Sequence, residues 1–259
     1  MVIKHHIRCV LFDLGNTLWM HQEEREHQAI EDAYRRAGSL LHRVRDGEIF
    51  AEQDALASGY LVHEAISQRI RTEERRRTEY EPDFALAMME ALRQLGWTEA
   101  DRELGHAVFE ALRVRIPLSR VLFPDTLRTL EVLKQRGYIL GVVTNRSYGG
   151  QPFHEDLQVM GLLDYFEYQH MAISADLGIR KPHPDIFKHA LNGLNVLPEE
   201  TAMVGDSLEA DIGGARRLNI LSIWKPQSVV VREKQQAAHS ESIVPDVTIE
   251  HLQDLLEIF

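Results

Sequence analysis

Two carboxylates, a hydroxyl and an ammonium stand at the ends of apolar runs in this chain. Asp13 closes Val10-Leu11-Phe12. Thr144-Asn145 closes a run ending in Val142-Val143. Lys181 follows Ser174-Ala175-Asp176-Leu177-Gly178-Ile179-Arg180. Asp206 closes Met203-Val204-Gly205, and Asp211 comes shortly after it. Hard carboxylate oxygens hold Mg²⁺, which takes few protein ligands and keeps waters and substrate phosphate. Lysine, hydroxyl and backbone N–H groups hold phosphate oxygens. A free carboxylate in line with phosphorus forms an aspartyl-phosphate, and positioning with charge neutralisation does most of the remaining work. The residue types therefore point to phosphoryl transfer. Taken singly, each has a plainer reading: Asp13 as a loop cap, Thr144 as an N-cap, Lys181 as a surface lysine, Asp206 and Asp211 as caps of a following helix. Their common placement at strand ends is what argues for chemistry.

The elements that must bring these groups together are legible in outline. Ile7 to Phe12 reads as a short buried strand. From Trp19 to Ile116 apolar residues recur at three- and four-residue spacing, as in Phe84, Met88, Leu92 and Leu95, which is helical periodicity. That block is too long for an ordinary crossover and reads as an inserted helical domain. Arg69 to Arg77 within it reads as a solvated helix face. Beyond Pro117, helices are expected at Asp125 to Gln135, through Asp156 to Met160, from Pro184 to Leu191, at Leu208 to Leu218 and at Leu252 to Phe259. Strands are expected at Tyr138 to Val143, Tyr168 to Ile173, Ala202 to Val204, Ile220 to Trp224 and Val247 to Ile249. Gln227 to Ser242 reads as a polar surface excursion. Alternating strands and helices imply an α/β fold with a parallel sheet. Its strand C-termini all point one way, where open α/β sheets bind ligands. The expected division is a core of residues 1–18 and 117–259 and an insert of residues 19–116. Hinges are expected at Trp19-Met20-His21 and Ile116 to Leu122.

At 259 residues and 44% apolar content the chain can build a sizeable core. A net charge of −11 argues against nucleic acid or an acidic membrane surface as a partner. It leaves a small anionic substrate open, because a local cluster can invert the field. The single Cys9 excludes an internal disulfide framework, fits a reducing compartment, and reads as a buried, inert thiol. No apolar run reaches the roughly 18 residues of a membrane span. The basic start, Met1 to Arg8, precedes too short an apolar stretch for a signal peptide. A soluble cytoplasmic protein is expected. The oligomeric state has no signature in the sequence.

Together these motifs resemble the haloacid dehalogenase superfamily, in the branch with a helical cap (C1-type) inserted after the first strand. The first family motif is an apolar strand, Asp-x-Asp, then Gly or Asn, then Thr or Val. Phe12-Asp13-Leu14-Gly15-Asn16-Thr17-Leu18 matches it except at position 15. Val142-Val143-Thr144-Asn145 matches the second. Ser174 with Gly178, Lys181-Pro182, Pro184 and Ile186-Phe187 matches the third, and Gly205-Asp206 with Asp211 the fourth. The resemblance implies a Rossmann-like parallel sheet under an inserted α-helical cap, and a phosphatase of a small phosphorylated metabolite. It implies Asp13 as nucleophile and Mg²⁺ ligand, with Asp206 and the backbone carbonyl of Gly15 completing the protein's metal ligands. Thr144 and the backbone N–H of Asn145 would hold the phosphoryl group, with Lys181 neutralising its charge. Asp211 would orient Lys181 or a metal-bound water, and Glu209 is a weaker candidate for that task.

The departure is Gly15. The family's second aspartate protonates the leaving oxygen and then activates water, and glycine can do neither. General acid–base catalysis contributes about 10²–10⁴-fold, so a handicapped enzyme, or one restricted to good leaving groups, is expected. His21 or a residue of the cap is a candidate substitute. Arg146, just after Thr144-Asn145, is either a surface arginine or a contact for an anionic substrate. Two alternatives stay open: a non-catalytic homologue that binds a phosphorylated ligand or a partner protein, and a 2-haloacid dehalogenase, whose halide leaving group needs no acid.

Overall fold

The computed structural model describes residues 7–46, 52–239 and 243–259. The chain divides into two compact units, one of Met1–Met20 with Val121–Phe259 and one of His21–Arg120. Strand β1 (Cys9–Phe12) opens the first unit. Strands β2 (Trp19–His21) and β3 (Arg120–Leu122) stand where the chain passes between the units and pair with each other, and Trp19 also bridges to Gly15.

The second unit is helical: α1 (Glu23–Asp46), α2 (Glu52–Arg76), α3 (Phe84–Gln94), α4 (Arg102–Leu112) and the short α5 (Ile116–Ser119). Leu41, Val62, Ile66, Met88, Leu92 and Val108 form its core. Asp83 and Asp101 start α3 and α4 by accepting from Leu86 N (3.0 Å) and Leu104 N (2.8 Å), which satisfies amides that no helical turn can reach. Between α1 and α2, Tyr34 Oη meets His63 Nδ1 at 3.0 Å.

The first unit is a six-stranded sheet built from β1, β4 (Ile139–Thr144), β5 (Ala172–Ile173), β6 (Thr201–Gly205), β7 (Leu221–Trp224) and β8 (Val247–Thr248), in the order β5-β4-β1-β6-β7-β8. The paired strands run parallel. β1 and β6 are buried along their whole length. They carry apolar side chains on both faces because helices cover both sides of such a sheet. Around the sheet lie α6 (Thr126–Gln135), α7 (Gly150–Val159), α8 (Ser174–Leu177), α9 (Pro184–Leu194), α10 (Gly214–Arg216) and α11 (Val229–His239). Helix α9 begins at Pro184 and ends at Asn195 in the left-handed conformation (φ 53°). It packs Ile186, Phe187, Ala190 and Leu191 against Leu11, Val143 and Met203. Each large apolar side chain buried there contributes about 1.5–3 kcal/mol.

Phe12 pairs with Val142 of β4 and with Val204 of β6, and Asp13 N donates to Val204 O at 2.9 Å. From β1 the chain moves outward through β4 and β5 on one side. It returns to the other side for β6, β7 and β8. The C-terminal end of β1 is therefore the switch point of the sheet, where a crevice opens.

Four expectations are corrected. Tyr168 to Ile173 is a 3₁₀ turn (Tyr168–His170) followed by the two-residue β5; polar Gln169 and His170 interrupt the strand pattern at the sheet edge. Leu208 to Leu218 is not a plain α-helix. Leu208–Gly213 is π-helical, Ile212 N reaching back to Ser207 O at 3.2 Å, and only then does α10 begin. Gln227 to Ser242 is not an excursion, because α11 occupies most of it; residues 240–242 lie outside the described residues. Its opening Val229-Val230-Val231 hides the helix, β-branched residues being poor helix formers. The C-terminal helix is 3₁₀ over Leu252–Glu257. Among the described residues no helix is long and apolar enough to cross a membrane.

Candidate active site

The end of β1 carries Asp13, of which 8% is exposed. Strand β4 ends on Thr144, which is buried. Lys181 comes from the loop between α8 and α9, and only 3% of it is exposed. Its Nζ donates to Asp13 Oδ1 and to Asp211 Oδ1, both at 2.6 Å. A buried ammonium is costly unless paired, and here two carboxylates share it. Burial alone would lower the Lys181 pKa, but Asp13 and Asp211 more than offset this, so it is raised and the charge is held.

Asp211 reaches the site because the π turn carries it inward. It is 1% exposed, and its second oxygen accepts from Ser207 N at 2.9 Å. Gly205 makes room for it: a Cβ at that position would lie 2.3 Å from Asp211 Cγ, so only glycine fits. Asp206, at the end of β6, is held by Asn16, whose Nδ2 donates to Asp206 Oδ2 at 3.3 Å. Asn16 adopts the left-handed conformation (φ 57°), which asparagine tolerates better than most residues.

Asp13, Asp206 and Asp211 each offer a ligand atom within 4.8 Å of the others. Burial, then the charges of Asp13 and Asp211, push the Asp206 carboxyl up to about 8. Burial also raises Asp211. Three carboxylates against one directly bonded ammonium leave excess negative charge, which a divalent cation relieves. The hard oxygen donors suit such a cation. Asp211 is the most buried of the three, at 1% exposure against 8% for Asp13 with Asp206 only partly buried, so Asp13 and Asp206 are the carboxylates best placed to ligate it. Asp211 stands behind them.

A family model for haloacid dehalogenase-like hydrolases matches residues 7–219. The chain belongs to the haloacid dehalogenase-like hydrolases. It is 31% identical to a phosphoserine phosphatase of Thermus thermophilus, over 98% of each chain. It is 42% identical to a glyceraldehyde 3-phosphate phosphatase of Pyrococcus furiosus over 102 residues, which is 39% of this chain and 40% of that protein. The chain thus spans about two fifths of that second relative. A solved haloacid dehalogenase-type phosphatase from Thermococcus onnurineus is 26% identical, with a TM-score of 0.60 over 97% of each chain.

In this hydrolase the side chain of Asn145 does a task that its sequence position did not suggest. Its Nδ2 donates to Lys181 O (3.1 Å) and its Oδ1 accepts from Lys181 N (2.8 Å). Three further residues were missed. Lys225, just past β7, is buried; its Nζ lies 3.7 Å from the Phe123 ring centroid and donates to Asn16 O at 3.4 Å. Burial lowers its pKa. Gln227 Nε2 donates to Asn16 Oδ1 at 3.2 Å. Gln235 of α11 donates to Asp206 O at 3.1 Å, beside Trp224 Nε1 at 2.9 Å. Lys225 carried the same sequence signal as Lys181, a lysine after an apolar run. The glutamines carried none.

Glu209 is exposed. His21 belongs to the helical unit, where its Nδ1 meets Glu26 Oε2 at 2.9 Å. Arg146 is half-buried over the rings of Tyr148 and Phe153, its guanidinium carbon 5.4 and 5.8 Å from their centroids. Its backbone is tied to Ser174 Oγ.

Proposed function

We propose that this hydrolase is a Mg²⁺-dependent phosphatase of a small phosphorylated metabolite, with Asp13 as the phosphoryl acceptor. The observation that carries this is Lys181, buried and bonded to both Asp13 and Asp211 beside Asp206. That arrangement suits a dianionic phosphoryl group. The relatives named for phosphoserine and glyceraldehyde 3-phosphate support a small phosphate ester as substrate class.

Asp13, Asp206 and the Gly15 carbonyl would hold Mg²⁺, which supplies charge neutralisation at the phosphoryl oxygens. Asp13 attacks phosphorus, and its carboxylate oxygen becomes the bridge of an aspartyl-phosphate as the ester P–O bond breaks and the leaving oxygen departs as the alcohol with a proton from water. Thr144 and the backbone N–H of Asn145 hold the phosphoryl oxygens. Lys181 balances their charge, kept in place by Asp211 through its side chain and by Asn145 through its backbone. Water then attacks the aspartyl-phosphate and releases phosphate.

The test is a screen of phosphorylated metabolites with Mg²⁺, run beside Asp13→Asn. Hydrolysis of small phosphate esters by the wild type and its loss in the variant is the expected result. Phosphate-ester binding with no turnover would favour a ligand-binding homologue. Chloride release from a 2-chloro acid without Mg²⁺ would favour a dehalogenase.

A further inference from the structure

Nothing in the fold demands glycine at position 15. Its φ is not among those in the left-handed region. A Cβ built there meets a single atom within 4 Å, Trp19 Nε1 at 4.0 Å, which is ordinary contact. Packing would therefore accept a side chain that the sequence omits. The one atom of the described residues that lies within 4 Å of that Cβ is itself anomalous. Trp19 is 1% exposed, and its indole N–H, a donor with no acceptor capacity, has no hydrogen-bond partner among the described residues. A buried donor left unsatisfied is costly. So a position with room for a short side chain, two residues past the proposed nucleophile, lies beside an N–H with no acceptor among the described residues.

We propose that the open space at Gly15 and the indole N–H of Trp19 form a subsite for a carboxylate, which supplies the acid–base group that glycine at position 15 does not. The proposal rests on the phosphatase reading for its catalytic consequence, but not for the binding itself. A carboxylate is planar, small and acceptor-rich, and one of its oxygens satisfies the indole. It comes either from the substrate, when a carboxylate lies near the ester oxygen, or from a free small acid. The chemistry balances. As the Asp13 Oδ–P bond forms and the P–O bond to the leaving group breaks, the carboxylic acid passes its proton to the leaving oxygen. The resulting carboxylate takes a proton from water as the water oxygen bonds to phosphorus and the Asp13 Oδ–P bond breaks. Alcohol and phosphate leave, and the acid is regenerated.

Formate is the probe. With ethyl phosphate as substrate, formate should accelerate turnover saturably, recovering about tenfold or more of the acid–base contribution. The ratio of rates with and without formate should fall to one in Trp19→Phe, which removes the N–H. It should do the same in Gly15→Ala, which fills the open space and leaves Trp19 intact, so a folding defect in one variant does not decide the matter. Gly15→Asp should raise turnover of ethyl phosphate and abolish the formate effect. Phosphoglycolate turned over faster than ethyl phosphate, with no further gain from formate, would place the carboxylate on the substrate. Acceleration by formate of both esters would place it on a free acid.

A second readout does not depend on turnover. The chain has three tryptophans, and the indole ¹H–¹⁵N signal absent in Trp19→Phe belongs to Trp19. Formate should shift that signal downfield in the wild type and leave it unmoved in Gly15→Ala. If no phosphate ester is hydrolysed, the phosphatase reading falls while this shift still decides the subsite. An unmoved Trp19 signal, or a formate effect that survives both variants, overturns the subsite.

Discussion

Asn145 grips Lys181 through both ends of its amide, donating to the carbonyl at 3.1 Å and accepting from the N–H at 2.8 Å. The ammonium of Lys181 is bonded at its other end to Asp13 and Asp211. The lysine is thus fixed along its length, backbone and head group, and its charge is placed without a search through rotamers.

Removing that grip should separate placement from charge. Asn145→Ala leaves two backbone groups unpaired and should cost about 1–3 kcal/mol of stability. It should lower kcat about tenfold or more, while KM changes less, since a mispositioned charge is felt most in the transition state. Steady-state kinetics beside thermal unfolding would check this. A change in KM alone would mean that Asn145 serves binding and not the placement of Lys181.

Asp206 predicts an unusual pH profile. Its carboxyl is raised from 3.8 to about 8 by burial and by Asp13 and Asp211. A raised folded-state value contributes stability that is whole at or below about pH 4 and lost as pH climbs through about 8. Metal-free protein should therefore lose stability across that window, and Asp206→Asn should lose less. Saturating Mg²⁺ should stabilise the wild type, by about 2.7 kcal/mol at a hundred times its Kd, and the variant far less. Thermal unfolding at pH 5, 7 and 9, with Mg²⁺ or EDTA, tests both parts. An equally steep fall in the variant would remove Asp206 as the cause.

Lys225 predicts an effect on metal binding from a residue that is not a ligand. It holds Asn16 by the carbonyl, and Asn16 holds Asp206. Groups behind metal ligands commonly tune affinity, so Lys225→Met should weaken Mg²⁺ binding about tenfold. Calorimetric titration with Mg²⁺ measures this directly. An unchanged affinity would limit Lys225 to its packing on Phe123.

Cys9 should be silent. It is fully buried in β1, and burial pushes its thiol up to about 12. Disulfide-exchange reagents at pH 8 should modify it only after denaturation, because the thiolate is the reacting form. Rapid labelling of the native protein would show that β1 opens easily.

The sheet was legible because parallel strands buried on both faces leave short, dense apolar runs. Asp13, Thr144, Lys181 and Asp206 stood out because each interrupts or follows such a run. What stayed hidden depended on long-range geometry. The polar stretch after Gln227 gave no apolar stripe, yet α11 carries Gln235 to the Asp206 carbonyl. The π turn that brings Asp211 inward leaves no periodic trace over so few residues. Gly15 was legible as a departure. Its neighbour Trp19 was not, since an indole that finds no acceptor among the described residues can only be recognised once its surroundings are known.

The position of β1 also bears on how the molecule comes into being. Its two neighbours in the sheet, β4 and β6, lie more than a hundred residues away along the chain. Closing such long loops costs entropy before any pairing rewards it. During synthesis the strand that bears Asp13 is made before both of its neighbours, and it stays unpaired on one edge until Thr201–Gly205 has emerged. A truncated product ending before that strand would carry an exposed apolar β1 and half of its charged cluster. Such a product is a ready target for chaperones and proteases, and it has no means of catalysis.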